Sequence, residues 1–354
     1  MSDSRPNDSQ AGATSTGHVR RHYGSGMELA ELPWFGLSEG RLRLVDDQIG
    51  PIVDVHTHLA LTYGRRRSVN LLASPGPTQH YLPMDGPLDM DVYQNRNFTP
   101  ADLSAMKRDL GLGSFTRGGM RATHTVPNLL SEMAELGLRC SVVLPIELPI
   151  LSHNAETYLE AVATTPEIIS FGSIHPHARN AADQLAEQQR LGARGVKLHP
   201  AVQMVAADHP RAMALYPVCA ELNLPVLWHC GPVGIETALG RRRCQLKHYW
   251  RAIHDNPATT FILGHSGALQ MEQGLELCKS YPNVHLELAS QGYPNVERIV
   301  NEAPIDRVMY GSDWPFYHQA IGIAKVLLAT RDKPTERRLV LHENAARLFG
   351  LELS

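Results

Sequence analysis

Eight short apolar runs, separated by amphipathic stretches, predict an α/β chain of the (β/α)8 TIM-barrel class. Two further observations point the same way. The runs are Val/Ile/Leu-rich rather than alternating, as parallel strands buried on both faces must be. Residues 51–350 also span about the length that eight βα units need.

The elements follow in order. Residues 1–26 are rich in Ser, Gly, Asn and Arg without periodicity and read as a disordered polar tail, leaving 27–350 as a single barrel domain. The strand candidates are PIVDVHTHL (51–59), RCSVVLP (139–145), IISFGSIHP (168–176) and RGVKLHP (194–200). LPVLWHCG (224–231), TTFILGHSG (259–267), VHLELAS (284–290) and RVMYGSDWP (307–315) complete the set. Between them, 180–192 opens on an Asn N-cap and closes on a Gly, as a helix should. Residues 208–223, 268–283 and 337–350 carry apolar residues at helical spacing. The first connection is much longer than the rest. RATHTVPNLLSEMAELG (121–137) supplies its helix, which leaves 61–118 as an insertion on the face where barrel active sites form. A loop that long predicts a substrate lid.

Composition excludes several classes. A net charge of -3 over 354 residues gives no reason to expect nucleic acid or an anionic membrane as partner. No apolar run approaches the ~18 residues of a membrane span, and the N-terminus lacks the apolar core of a secretory signal. Five scattered cysteines, none in a C-x-x-C pair, argue against a disulfide framework and a thiolate zinc site. A reduced, cytoplasmic setting is the expectation.

Histidine, present 18 times, carries the chemistry. By strict alternation Asp54, His56 and His58 share one face of the first strand, directed into the barrel. Two buried imidazoles at i and i+2 are poorly satisfied unless they share a metal ion or find core hydrogen bonds. The other strand ends favour the metal, because Lys197, His199, His229, His265 and Asp313 all fall at C-terminal strand edges. His175 and His199 are expected to touch substrate or support the ligands, or else to be structural. Glu287 is a further pocket candidate, and Cys230 faces the other way. Arg65, Arg66 and Arg67, Arg241, Arg242 and Arg243, and the group Arg117, Arg121 and His124 are either solvated charge or an anion-capturing rim.

Taken together, D-x-H-x-H (54–58), G-V-K-L-H-P (195–200), W-H-C-G (228–231), G-H-S-G (264–267), G-S-D-W-P (311–315) and E-N-A-A-R-L-F-G (343–350) form a specific pattern. It resembles the amidohydrolase superfamily, in the amidohydrolase-2 group that includes aminocarboxymuconate-semialdehyde decarboxylase. The resemblance implies that His56, His58 and His229 are metal ligands. It makes Asp313 a ligand that also takes a proton from the attacking water. His265 becomes an acid/base in a mononuclear site or a ligand in a binuclear one. Lys197 corresponds to a lysine that hydrolytic relatives carbamylate to bridge two metals; unmodified, it would pair with Asp54 or another carboxylate, or bind a substrate carboxylate.

The expected function is therefore metal-dependent hydrolysis of an amide, lactone or ester in a small molecule. Zinc is the expected ion, in one or two copies, because neutral imidazoles with one carboxylate suit it. Decarboxylation of an aromatic or unsaturated acid is the alternative, and a non-catalytic barrel that binds a small molecule is the third reading. No motif calls for an organic cofactor. A homodimer is expected from family habit.

Overall fold

The computed structural model describes residues 20–63, 69–148 and 151–352, so the expectations for residues 1–19 and for Arg65, Arg66 and Arg67 lie outside the described residues. All eight strands form. They are β1 (Ile52–Thr57), β2 (Leu138–Val143), β3 (Ile168–Ser170), β4 (Val196–Leu198), β5 (Val226–His229), β6 (Phe261–Gly264), β7 (Val284–Glu287) and β8 (Val308–Met309). Every neighbouring pair is parallel.

At Phe171 the third strand steps sideways and continues as Gly172–Ser173, which pairs with β4. Gly195 approaches there so closely that a Cβ would lie 2.4 Å from the Phe171 ring. The last strand returns to the first. Val55 N–H donates to Tyr310 O at 3.0 Å, Asp313 N–H to His56 O at 2.8 Å, and His58 N–H to Trp314 O at 2.7 Å.

Two apolar layers follow from the strand period. Val226, Trp228, Phe261 and Leu263 pack with helix residues such as Tyr249 and Leu275. Their neighbours Leu227 and Ile262 pack with Val53, Val55, Met309 and Phe349 in a second cluster. Lys197 lies in register with Leu227, and His229 follows it by two, so both fall on the inner side. Cys230 joins the outer layer, as expected.

The first strand departs from strict alternation. Its pairing with β2 shifts register between Asp54 and Thr57. Val53 and Val55 join the second cluster, while Asp54 turns to the outer helix Gln319–Ala329, where Gln319 Nε2 donates to its Oδ2 at 2.7 Å. Asp54 therefore does not share a face with His56, nor does it pair with Lys197. Its Oδ1 accepts from the backbone N–H of His56 and of Ser312, at 3.1 and 3.0 Å. A buried carboxylate thus ties β1 to the loop that follows β8.

The helices mostly follow expectation. Ala181–Arg190, Met271–Ser280 and Val126–Glu135 fall inside the expected stretches. Asn180 sits at the N-cap but in the left-handed region, and its side chain makes no cap bond. The stretch 208–223 breaks into Pro210–Met213 and Tyr216–Glu221, and 337–350 opens into a wide π turn before Asn344–Phe349. The expected polar tail ends earlier than residue 26. His22–Tyr23 pairs antiparallel with Leu88–Asp89, Tyr23 is buried, and Gly26 opens a 3-10 turn. The hairpin Phe35–Ser38/Arg41–Leu44 was not anticipated, although the alternating residues around Glu39-Gly40 were a local signal for it.

The described part of the insertion is folded rather than loose. It contains the helix Pro100–Leu110, opened by a capping box between Thr99 and Asp102, a T-P-x-D signal present in the sequence. Arg121, fully buried, holds the two ends of the insertion together by donating to Leu61 O at 3.1 Å and Thr116 O at 2.7 Å. His124 Nε2 donates to Gln79 O at 2.9 Å. Neither is an anion-binding group, because backbone carbonyls occupy them. No helix among the described residues is long and apolar enough to cross a membrane.

Glu132 shows how the barrel's outer layer braces the C-terminal loop of β8. It accepts from His80 Nε2 at 2.8 Å, Trp314 Nε1 at 3.1 Å and the Gln319 N–H at 3.0 Å. Burial pushes this carboxyl up, but the His318 and His80 imidazoles and the hydrogen bonds outweigh it and hold the pKa down to about 2. A depressed carboxylate stabilises above its unfolded value, near 4.5, and loses that contribution as pH falls toward 2. Glu132→Gln should therefore melt several degrees below wild type at pH 6, with the gap narrowing by pH 3. Thermal scans at both pH values check this; a gap that is constant or widens in acid would refute it.

Candidate metal centre

The strand ends bring six of the expected residues together. His56 and His58 present Nε2 atoms 3.2 Å apart, and Lys197 Nζ lies 3.2 Å from His56 Nε2. Asp313 Oδ1 is 3.7 Å from His56 Nε2 and 3.5 Å from His58 Nε2. His229 Nδ1 and His265 Nε2 face each other at 3.0 Å. Ligating atoms of His56, His265 and Asp313 all fall within 4.8 Å of one another. His199 stacks on His229 with ring centroids 4.0 Å apart and lines the same cavity.

The outer nitrogen of each ring decides what the inner one can do. His56 Nδ1 is 2.8 Å from Glu287 Oε1, His58 Nδ1 is 2.7 Å from Leu144 O, and His265 Nδ1 is 3.3 Å from Ala289 O. Leu144 O and Ala289 O only accept, and Glu287 Oε1 already accepts from the His265 N–H, so each Nδ1 is placed to donate and Nε2 is the nitrogen that faces the site. Burial, then the nearby Lys197 charge, pushes the His56 pKa well below its usual range. Burial also takes His265 down to about 4, against the pull of Asp313. The two Nε2 atoms crowd each other at 3.2 Å, with Lys197 Nζ as a donor beside His56, and a cation shared between them would relieve the contact. The donor set therefore fits a divalent metal, with the far nitrogens fixed by partners as metal-binding histidines usually are.

Glu287 is the residue that sequence reasoning undervalued. Beyond His56, it accepts from the N–H groups of His265 and, at 2.7 Å, Ala289. Burial pushes its pKa up and pushes that of Lys197 down, while their opposite charges counter both shifts. Inner-face parity in V-H-L-E could have flagged it. Ser290, also missed, donates to Asp313 Oδ2 at 3.2 Å. Three site residues adopt left-handed backbone, with φ 55° at His265, 64° at Ser290 and 66° at Asp313. Such strain concentrates where geometry serves function.

Gly311 keeps this arrangement open. A Cβ there would lie 2.5 Å from Glu287 Oε2 and 3.0 Å from His56 Cβ. Gly311→Ala should displace the His56–Glu287 pair and weaken metal affinity by roughly 10–100-fold. Competition with a chromogenic chelator measures it, and unchanged affinity would contradict the inferred crowding.

The remaining expectations fare differently. His175 is not in this cavity. Its Nε2 lies 2.8 Å from Gln203 O and its Nδ1 accepts from the His177 N–H, so both nitrogens serve the backbone. Arg241 and Arg242 are exposed on Ala238–Cys244, and Arg243 donates to Leu239 O, so the run is a solvated helix face. Arg117 is exposed as well.

Above the centre lies a cavity of about 590 Å³. Its wall is largely apolar and aromatic, with Leu61, Tyr63, Tyr93, Ile146, Phe316 and Tyr317 prominent. The insertion contributes Tyr93, Asn95, Met106, Lys107 and Leu110 to that wall.

A barrel with histidines and a carboxylate converging at its C-terminal mouth defines a class: barrels that gather the donor set of a divalent cation at the floor of a cavity. This chain belongs to the amidohydrolase family, whose model (the amidohydrolase-2 group) matches residues 149–351. Members of that family are enzymes, hydrolases and decarboxylases among them. No curated protein matches the chain by sequence. Several solved structures share the fold. An uncharacterized TIM-barrel protein from Bordetella bronchiseptica is 20% identical, with a TM-score of 0.60 over 85% of this chain and 98% of its own. A 5-carboxyvanillate decarboxylase from Sphingomonas paucimobilis is 15% identical, with a TM-score of 0.58 over 85% and 99%. A probable 2-pyrone-4,6-dicarboxylic acid hydrolase from Acinetobacter baumannii is 15% identical, with a TM-score of 0.53 over 85% and 99%.

Proposed function

We propose that the protein is a metal-dependent hydrolase of an amide, lactone or ester in a small, largely apolar molecule. The observation that carries this reading is the Asp313 carboxylate, 3.5 Å from His58 Nε2 and 3.7 Å from His56 Nε2 at the floor of a cavity. His56, His58, His229 and Asp313 would hold the ion, and zinc suits that donor set. A bound divalent metal supplies Lewis acidity, which makes a water nucleophilic near neutral pH and polarises the bond under attack.

The chain's own groups do the rest. Asp313 Oδ2 is held by Ser290, which leaves Oδ1 turned toward the histidines to accept a proton. The proton then passes to the leaving group, which departs protonated. His265, neutral and fixed through Ala289 O, faces the same space and can donate a hydrogen bond only after taking a proton. Lys197, enclosed beside His56, is either carbamylated into a further ligand or retained as a cation for a substrate oxyanion. The insertion walls the cavity and, on this reading, keeps bulk water from the reacting bond.

A second reading is supported by the decarboxylase neighbour and by the aromatic wall. There, the same centre would bind an aromatic or unsaturated carboxylic acid and release carbon dioxide. A panel of aryl esters, lactones and anilides, run beside aromatic carboxylic acids with metal-loaded protein, separates the two. Product acid without gas supports hydrolysis; carbon dioxide release from the acids overturns it.

A further inference from the structure

Lys325 lies in the outer helix Gln319–Ala329, among Ile321, Ala324, Val326 and Leu328, and is only 2% exposed. It has no part in the chemistry described above. Burial pushes its pKa down to about 7, while the carboxylates of Asp89 and Asp91 pull the other way. A lysine enclosed this completely is costly unless hydrogen bonds offset the desolvation.

Those bonds go to two segments of the chain. Nζ donates to Gln94 Oε1, on the insertion, at 2.5 Å, and to Gln291 O, on the loop after β7, at 2.8 Å. The same two segments meet again beside it. Gln94 N–H donates to Ser290 O at 2.8 Å, and Gly292 comes so close to the insertion that a Cβ would lie 2.4 Å from Asp91 O.

The loop after β7 is the part that reaches the candidate ligands. Ser290, held at a left-handed φ of 64°, donates from Oγ to Asp313 Oδ2 at 3.2 Å. Gln291 Nε2 donates to His265 O at 2.6 Å and to Ala268 O at 3.0 Å. A non-glycine residue persists in the left-handed region only where its surroundings over-determine it. Lys325 supplies that constraint from one side of Ser290, through the Gln291 carbonyl, and Gln94 supplies it from the other.

We infer that Lys325 is a positioning residue for the metal centre, acting through the Ser290–Gln291 turn to hold Asp313 Oδ1 toward His56 and His58. The insertion shares the same ammonium and is thereby tied to the geometry of the ligand set. The inference rests on the metal centre of the proposed function and is indifferent to whether hydrolysis or decarboxylation takes place there.

A double-mutant cycle on the full-length protein tests it, read as zinc affinity by competition with a chromogenic chelator, so that turnover is not needed. Lys325→Met keeps an apolar stem and removes the donor; Ser290→Ala cuts the last link to Asp313. Each should weaken zinc binding about tenfold, as loss of a group that orients a ligand does. The double variant should also lose only about tenfold, because both changes break one chain of contacts. A loss of about a hundredfold in the double variant, or wild-type affinity in either single one, would overturn the inference. Cobalt-loaded protein gives a second readout. Lys325→Met should move the visible ligand-field bands in the same direction as Ser290→Ala, and bands left at their wild-type positions would also overturn it. Should Lys325→Met fail to fold, Lys325→Gln enters the same cycle: a weakening that disappears in the Ser290→Ala background supports the inference, and one that persists there overturns it. A wild type that takes up neither ion would overturn the metal reading and this inference with it, whereas zinc binding indifferent to Lys325 overturns this one alone.

Discussion

Asp313→Asn should lower turnover by roughly 10²–10⁴-fold, the usual contribution of a positioned acid or base, while the melting temperature stays near that of wild type. Asn matches Asp in shape and tolerates the left-handed φ of 66° at this position. It can still accept from Ser290 Oγ, so the loop after β8 keeps its anchor. What it cannot do is take a proton near neutral pH. The change therefore isolates proton acceptance from packing, and kcat beside a thermal scan reads both. Turnover within tenfold of wild type would remove Asp313 from the proposed chemistry. A collapse in melting temperature would show that its main work is structural.

Stripping the metal should abolish turnover and lower the melting temperature by several degrees, with zinc restoring both. The reason is the 3.2 Å approach of the His56 and His58 Nε2 atoms, which a shared cation would relieve while Glu287 and Leu144 O hold the Nδ1 sides of the rings. A ligand at a hundred times its Kd stabilises by about 2.7 kcal/mol, and a chain of this size converts that into several degrees. His58→Ala should lose the zinc-dependent rise while keeping the fold, because its ring sits at the end of β1 rather than in either apolar cluster. Differential scanning with a chelator, then with added zinc, checks both proteins. An unchanged melting temperature on stripping wild type would contradict a cation in this site.

Much of this architecture was open to a reader of the sequence. The eight strands declare themselves because a strand buried on both faces must be apolar throughout and must stop where Gly, Pro or a polar residue takes over. His56, His58, Lys197, His199, His229, His265 and Asp313 share one edge because they all end such runs. The helix Pro100–Leu110 and the hairpin at residues 35–44 carried local signals as well, in the Thr99/Asp102 box and the Glu39-Gly40 turn.

Other features depend on contacts that no local pattern encodes. Asp54 follows the parity of its strand on paper, yet the register shift beside β2 and the donor on Gln319 turn it away from the site. His175 ends a strand just as His229 does, but Gln203 O and the His177 N–H claim both its nitrogens. Arg121 looks like an anion-binding residue until the carbonyls of the insertion surround it.

The sequence by itself determined the barrel, the order of its strands and which edge collects the candidate ligands, since burial and period act along the chain. Only the tertiary structure decided which imidazole nitrogens are free to bind, because that is set by acceptors brought from far away. Glu287 meets His56 across 231 residues of sequence, and Leu144 O meets His58 across 86. A proton placed on one side of a ring leaves a lone pair on the other, and the fold alone chooses the side.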